Sequence, residues 1–566
     1  MTRGSSEKDD PYDSAIDDDP RSDRRRTSGE ASRDGNERPA FPGTLPALLD
    51  DVATRSPSSE AFITARRRAT YRDLRDDSIA IGRGLAARGV GRGTRVALLM
   101  PNRAEWLAAA FGVWRCGGIL VPLSTLARPR ELAHFLRSAD VTVLIAVRRF
   151  LRHDYEAMLD EVAPGAARRP APLFEPALPA LREAIWLDDD PAAAVRTLAA
   201  PGDALGRAWP GVLTERVAPA NPATVTFTSG TTSEPKGAVH AHRALCRSAC
   251  DVAATIGTEP SDRIWGYLPF FFNAGLVGVG LATLARGAAI VATEVFEPGE
   301  VLTLLEAERC TVFFGWPHQA EALIQHPRFP SAKLALHKGV GANVPWAARL
   351  YPADHRAVAT WGMTETGPMF TAWPSTTPLE LRASGHGAPV AGREVRICDP
   401  ETGTPLGVGA AGEICVRGPT LFSHYDGLSP AECFDAAGYF HTGDLGRLDE
   451  RGTVHFLGRL KDVIKTAGAN VAAAEVEATL LRHPAVGAAH VVPVPAGARG
   501  EDVAAFVVAS RPVEPDVLIE HCRADLASYK VPRHLWLRRE DELPLRSSGK
   551  VDKAVLRAEA ARLVAT

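Results

Sequence analysis

Residues 226–238 of this chain read Thr-Phe-Thr-Ser-Gly-Thr-Thr-Ser-Glu-Pro-Lys-Gly-Ala. A short β-rich run over 223–227 leads into them. Hydroxyls, open backbone N–H groups and one ammonium in a single loop make a cradle for a polyphosphate. It is not a Walker A loop, in which Gly-Lys-Ser/Thr closes four variable residues and a helix begins at once. Here Lys236 precedes its glycine, and Pro235 stiffens the turn before it. The plainer alternative is a surface loop of turn formers. Composition favours chemistry, because nine of the 65 basic residues are lysine and the rest arginine. A lysine inside a glycine- or hydroxyl-rich loop is therefore an unusual choice. Lys461 and Lys465 in the segment 458–471 and Lys550 in the segment 543–551 repeat that choice. Carboxylates with neighbouring aromatic or glycine residues occur in two more loops: Glu365 after Trp361-Gly-Met-Thr364, and Asp444 in Gly438-Tyr-Phe-His-Thr-Gly-Asp444. Each could also be ordinary turn chemistry.

The elements that must position these loops alternate between strand and helix. Helical spacing covers 45–52, 70–89, 105–116, 130–138 and 244–256, and short apolar strands are expected at 95–100, 119–121, 141–147 and 262–269. Further units follow at 301–308, 311–314 and 319–325. That alternation reads as α/β layering around parallel sheets. Residues 160–222 are rich in Ala and Pro and read as a connection. Short strands with turn signals over 395–457 read as a β-rich subdomain, and a small strand-helix-strand pattern follows residue 458. Residues 1–40 are polar and read as a disordered tail. The expected organisation is that tail, a large domain over 41–458, and a small mobile α+β domain over 459–566.

Length alone requires more than one domain. The net charge of −3 argues against a nucleic-acid partner. No apolar run is long enough for an integral membrane segment. Eight scattered cysteines without a CxxC pair read as reduced, mostly buried thiols of a cytoplasmic protein.

The five loops, in this order, resemble the adenylate-forming superfamily of acyl-CoA synthetases, firefly luciferases and peptide-synthetase adenylation domains, over roughly residues 42–560. The resemblance implies that Thr228, Ser229, Gly230, Thr231, Thr232 and Lys236 hold the phosphates of ATP. Ser233 stands where glycine is usual. Gly341, Ala342 and Asn343 would contact adenine, on which Trp361 would stack, with Gly362 and Met363 beside it. Thr364 would approach the α-phosphate, and Glu365 with Thr231 would hold Mg²⁺. Asp444 and Arg459 would bind the ribose, and His441 is read as structural. Lys461 marks the hinge of the small domain. Lys465 and Gly468 would serve thioester formation with coenzyme A, and Lys550 would be the catalytic lysine of adenylation.

The same resemblance places the acid beside Phe272, Asn273, Gly275, Trp316 and Gly339. Phe272 stands where the family usually has histidine, so gating there would be steric. Phe270 and Phe271 are expected in the core. The loop has no Asp to pair with an α-ammonium, which argues against an amino-acid substrate. The implied reaction is ATP-dependent conversion of a hydrophobic carboxylic acid to an acyl-adenylate, then transfer to the thiol of coenzyme A. Transfer to a carrier protein is the alternative. The sequence ends at Thr566 with no carrier domain after Lys550, so a carrier is expected to be separate. A homodimer stays open, as do a luciferase-like oxygenase and a non-catalytic binding protein.

Overall fold

The computed structural model describes residues 42–206, 209–228, 235–466, 469–496, 500–546 and 549–565. The tail expected over 1–40 lies outside them. The helices expected first appear at Leu45–Arg55, Tyr71–Ala87, Ala104–Arg115, Pro129–Ser138 and His242–Ile256. Thr70 and Asp73 form a reciprocal capping box at the second. Every residue of Ala104–Arg115 is buried, and the charge of Arg115 is met by Asp50 at 2.5 Å.

Two mainly parallel sheets carry the large part of the chain. In the seven-stranded one the order is His424–Tyr425, Gly237–Ala241, Pro222–Phe227, Ile119–Pro122, Arg95–Leu99, Val143–Val147, Glu183–Leu187. The six-stranded one runs Lys338–Gly339, Val312–Phe313, Arg263–Trp265, Ala289–Val291, Glu60–Ile63, Arg68–Thr70. Central strands such as Ile119–Pro122 and Val143–Val147 are buried at every residue, as expected where both faces of a parallel sheet are covered. A four-stranded antiparallel sheet follows, made of Glu394–Cys398, Gly412–Arg417, Phe440–Leu448 and Val454–Arg459. Beyond it lie the hairpin Val463–Thr466/Ala469–Ala472 and a three-stranded sheet packed with Ala473–Leu481, Pro515–Asp525 and Lys553–Ala565.

Two expectations need correction. Residues 160–222 are not merely a connection. Glu183–Leu187 pairs in parallel with Val143–Val147 as an edge strand, and Leu198 of the following helix is fully buried. Its five residues were hidden by the Ala/Pro-rich sequence around them. The strand expected over 262–269 pairs only across Arg263–Trp265. After it Gly266 lies so close to Val279 that a β-carbon would meet the Val279 Cγ1 at 2.1 Å. Val279 belongs to a π-helix, Ala274–Leu281, a form frequent at functional sites.

Candidate active site

Strand Pro222–Phe227 delivers Thr228 to the mouth of a cleft, and strand Gly237–Ala241 returns beside it in antiparallel register. The Thr228 N–H donates to the Lys236 carbonyl at 2.9 Å, so these two residues close the neck of the hydroxyl loop. Ser229, Gly230, Thr231, Thr232 and Ser233 lie outside the described residues. A strand, not a helix, begins after Lys236, in keeping with the contrast to a Walker loop.

The next strand in that sheet, His424–Tyr425, adds a residue that the sequence did not flag. Tyr425 is the partner of Ala238, its ring lies 5.2 Å from the Lys236 ammonium, and its hydroxyl donates to Glu365 Oε1 at 2.6 Å. Glu365 sits at the turn of the hairpin Thr360–Met363/Gly367–Ala372 and is 4% exposed. Burial raises its carboxyl above the usual range, and the Tyr425 hydrogen bond is the largest opposing influence. The turn is fixed by the Thr366 hydroxyl, which accepts from the Met363 N–H at 2.9 Å. Gly362 is required by close approach, since a β-carbon would strike the Gly367 carbonyl at 2.4 Å. Thr364 offers its carbonyl to the Asn273 amide at 2.7 Å.

Trp361 is buried, and its indole N–H donates to Asp444 Oδ2 at 2.9 Å. Asp444 is the cross-strand partner of Arg459, whose guanidinium reaches Asp444 Oδ1 at 2.8 Å. That contact is an ion pair without hydrogen-bond alignment, because Oδ1 is buried with no hydrogen-bond partner among the described residues. Arg459 also donates to the Thr442 carbonyl at 3.2 Å. Burial pushes the Asp444 carboxyl up to about 6, against the pull of Arg459 and Trp361. The single N–H of Trp361 thus braces the carboxylate expected at the ribose.

Lys550 comes to the same place from far along the chain. A hairpin closes under it through the Leu545–Val551 bridge, the Arg546–Asp552 ion pair at 2.9 Å, and an Arg546 N–H bond to the Lys550 carbonyl. The residue keeps an exposed surface, yet its ammonium is depressed, first by desolvation and then by the charges of Arg459 and Arg546, with Asp444 opposing. Lys461, in the short turn Leu460–Asp462, is depressed by desolvation and feels the same Arg459, Arg546 and Asp444 charges. Lys465 belongs to strand Val463–Thr466, and its side chain lies outside the described residues, as does Gly468.

A cavity of about 270 Å³ opens beside Gly549, next to Lys550. Phe272 and Trp316 wall it, edge to face with ring centroids 5.9 Å apart. Tyr267 and Phe296 line it further in. The one acidic residue among the described lining residues, Glu294, is paired with Arg103 at 2.8 Å. Phe270 and Phe271 are buried as expected, although Phe271 also lines this cavity. A second cavity, of about 400 Å³, lies between Thr228, Phe272 and Arg546.

Asn273, Gly275 and Gly339 do not line the 270 Å³ cavity. At Gly275 a β-carbon would meet the Pro269 carbonyl at 2.1 Å, and at Gly339, with φ +140°, the Phe313 carbonyl at 2.0 Å. Backbone packing explains these two glycines. Gly341 has φ +95° and would strike Trp346, while the Gly341 and Ala342 N–H groups donate to the Val358 carbonyl. Asn343 follows them in the same partly exposed turn. His441 bonds Glu413, at 2.7 Å.

No helix among the described residues is long and apolar enough to cross a membrane. A family model described as AMP-binding enzyme matches residues 49–426, and one described as AMP-binding enzyme C-terminal domain matches residues 475–550. The putative acyl-CoA synthetase YngI of Bacillus subtilis is 30% identical over 541 residues, covering 91% of this chain and 96% of its own. A 3-[(3aS,4S,7aS)-7a-methyl-1,5-dioxo-octahydro-1H-inden-4-yl]propanoyl:CoA ligase of Mycobacterium tuberculosis is 33% identical over 528 residues, with 91% and 98% covered. ATP-bound MatB from Rhodopseudomonas palustris superposes with a TM-score of 0.77 at 28% identity, over 92% of this chain and 99% of that one.

Proposed function

This chain belongs to the AMP-binding enzyme family, and on that premise we propose how its residues divide the work of an AMP-forming acid–CoA ligase. The activity is ATP-dependent activation of a carboxylic acid to an acyl-adenylate, followed by transfer to coenzyme A. One observation carries the assignment of roles. Lys550 is held among the charges of Asp444, Arg459 and Arg546, beside a cavity with apolar walls.

Joining a carboxylate to a phosphate brings two anions together, so the site must cancel charge and enforce in-line geometry. Asp444 and Arg459 take the ribose, with Trp361 fixing the Asp444 carboxylate. Lys236 and the hydroxyl loop take the β- and γ-phosphates. Lys550 sits between the acid's carboxylate and the α-phosphate as a point charge. A carboxylate oxygen attacks the α-phosphorus, the bond to the β-phosphate oxygen breaks, and pyrophosphate leaves. The Glu365 carboxylate suits Mg²⁺, which takes one or two carboxylates and fills its remaining positions with phosphate and water. Thr231 would be its companion, and the bound ion would neutralise phosphate charge. In the second step the CoA sulfur attacks the acyl carbon, and AMP leaves with the carboxyl oxygen that joined it to phosphorus.

Lys550 must withdraw for the thiol to approach. We take the boundary of the small domain at Arg459, with Lys461 as the hinge that exchanges Lys550 for the Lys465–Gly468 stretch. The cavity walls favour a hydrophobic monocarboxylic acid with a neutral tail, because Glu294, the acidic residue among the described lining residues, is already neutralised by Arg103. The Mycobacterium tuberculosis relative, named as a ligase for a bicyclic propanoate, supports the same class. Reduced thiols agree with a cytoplasmic site.

The test supplies ATP, Mg²⁺ and a panel of fatty, cyclic and aryl acids, measures pyrophosphate, then adds CoA and measures thioester. Pyrophosphate and thioester from a hydrophobic acid are the expected result. Pyrophosphate without thioester points to a separate carrier protein as acceptor. Neither product from any acid overturns the assignment of roles.

A further inference from the structure

A second cluster of reactive side chains lies on the four-stranded sheet. Cys415 and His441 are cross-strand partners, and Glu413 stands two residues before Cys415, on the same face of its strand. The register slips between these pairs, because Glu413 is opposite Leu445, so residues 442–444 bulge out of the ladder. His441 Nδ1 is 2.7 Å from Glu413 Oε2 and 3.4 Å from Cys415 Sγ, and all three potential ligand atoms lie within 4.8 Å of one another.

We propose that Glu413, Cys415 and His441 form a zinc site whose occupancy controls the nucleotide-binding bulge that carries Asp444. Thiolate, imidazole and carboxylate together suit a borderline-soft cation. Tetrahedral Zn²⁺ with Zn–S near 2.3 Å and Zn–N near 2.0 Å separates sulfur and nitrogen by about 3.5 Å, close to the distance found. To admit the ion the carboxylate oxygen must retreat from the imidazole by roughly half an ångström. Water takes the fourth position. The other imidazole nitrogen faces Asp435 at 3.6 Å, the side from which a carboxylate orients a metal-bound histidine. Cys415 and Glu413 are buried while His441 is exposed, so the cation has an entry path through the imidazole. Binding forms the Zn–S bond and releases the Cys415 thiol proton to solvent.

The bulge supplies the coupling. Glu413 Oε1 accepts the Gly443 N–H at 2.9 Å, and the Thr442 hydroxyl donates to the Ile414 carbonyl at 2.6 Å while accepting the Asp444 N–H at 3.0 Å. A cation that displaces the Glu413 carboxylate moves Gly443 and, through it, the carboxylate expected to hold the ribose. Zinc is therefore expected to raise the KM for ATP severalfold.

The test uses the full chain after removal of metals by chelation. Cobalt(II) is titrated first, and a sulfur-to-cobalt absorption band displaced by one equivalent of Zn²⁺ is expected. Cys415→Ser should abolish the band. His441→Ala, an exposed position that keeps the test open if the serine variant fails to fold, should weaken zinc at least tenfold in competition with a chromophoric chelator. Zinc should raise the KM for ATP in the parent and not in His441→Ala. Absence of the band in the parent, or equal zinc affinity in His441→Ala, overturns the site. An equal KM rise in that variant overturns the coupling. The binding measurements stand apart from the ligase reading, on which only the KM measurement rests. An absence of pyrophosphate release from the metal-free parent with Mg²⁺ would count against that reading alone.

Discussion

Tyr425→Phe removes one oxygen and leaves the packing in place. The ring keeps its edge contact with Phe422, centroids 4.7 Å apart, and its place 5.2 Å from the Lys236 ammonium. The 2.6 Å hydrogen bond to Glu365 Oε1 disappears. Glu365 is 4% exposed, so water does not readily replace the lost donor. A hydrogen bond to a charged group contributes about 1.5–3 kcal/mol. Lost from the ionised form only, that amounts to roughly a tenfold to 150-fold penalty on every step that needs the carboxylate. The sign depends on the protonation state. Burial already raises the Glu365 carboxyl, Tyr425 is the largest influence lowering it, and removal raises it further. The acid limb of kcat/KM for ATP should move to higher pH, with a larger deficit at neutral pH than in alkaline buffer. Stability should behave in the opposite sense, because ionising an unsupported buried carboxylate costs more in the variant. Its melting temperature should fall further below the parent's as pH rises. The assay is pyrophosphate release against ATP concentration between about pH 6 and 9, with a melting curve at each pH. A variant whose pH profile overlays the parent's after a uniform scaling would refute this role for the hydroxyl, since a packing role predicts that scaling and no displacement.

The same geometry sets outcomes at four further residues. As pH falls through about 6 the Asp444 carboxyl protonates and loses acceptor capacity, so the KM for ATP should climb below that pH in the parent. An acid with a raised native value stabilises the fold below its unfolded value and loses that contribution as pH rises through about 6. Asp444→Asn should therefore melt higher than the parent at pH 7, by up to about 3 kcal/mol, while ATP binding weakens severely; a lower melting temperature would count against burial as the cause. Lys550→Ala should abolish adenylate formation and spare thioester formation from a supplied acyl-adenylate, and equal loss in both half-reactions would sink the hinged two-state assignment. Trp316→Ala should extend the accepted acids toward longer or bulkier tails, read as new pyrophosphate release across the panel. Gly275→Ala should cost about 1–3 kcal/mol by overpacking, seen as a lower denaturant midpoint, because its β-carbon meets the Pro269 carbonyl.

The sequence was legible where one loop holds its own chemistry. The hydroxyl loop, Trp361 with Glu365, Asp444, Arg459 and Lys550 each lie in a motif of about a dozen residues, so the sequence could draw attention to them, while the role expected of each came from the resemblance. Relations between loops were not legible. Tyr425 lies in a two-residue strand, sixty positions from the carboxylate it serves, and nothing local distinguishes it from any half-buried tyrosine. The link from Trp361 to Asp444 depends on how a hairpin turns against a sheet, and the Asp444–Arg459 pair on strand register, which neighbouring residues do not encode. Glycines show the same limit. The resemblance set Gly275 and Gly339 beside the acid, and the structure adds that backbone atoms occupy the space a side chain would need at each. The same logic bears on Asp444 itself. Its loop marks it as a carboxylate, but whether that carboxylate is charged at neutral pH is decided elsewhere, by Trp361 and Arg459 acting against burial. A site of this kind holds its ligand with groups whose ionisation is set by other segments of the chain. Substitutions of the supporting residues should therefore change pH dependence before they change specificity.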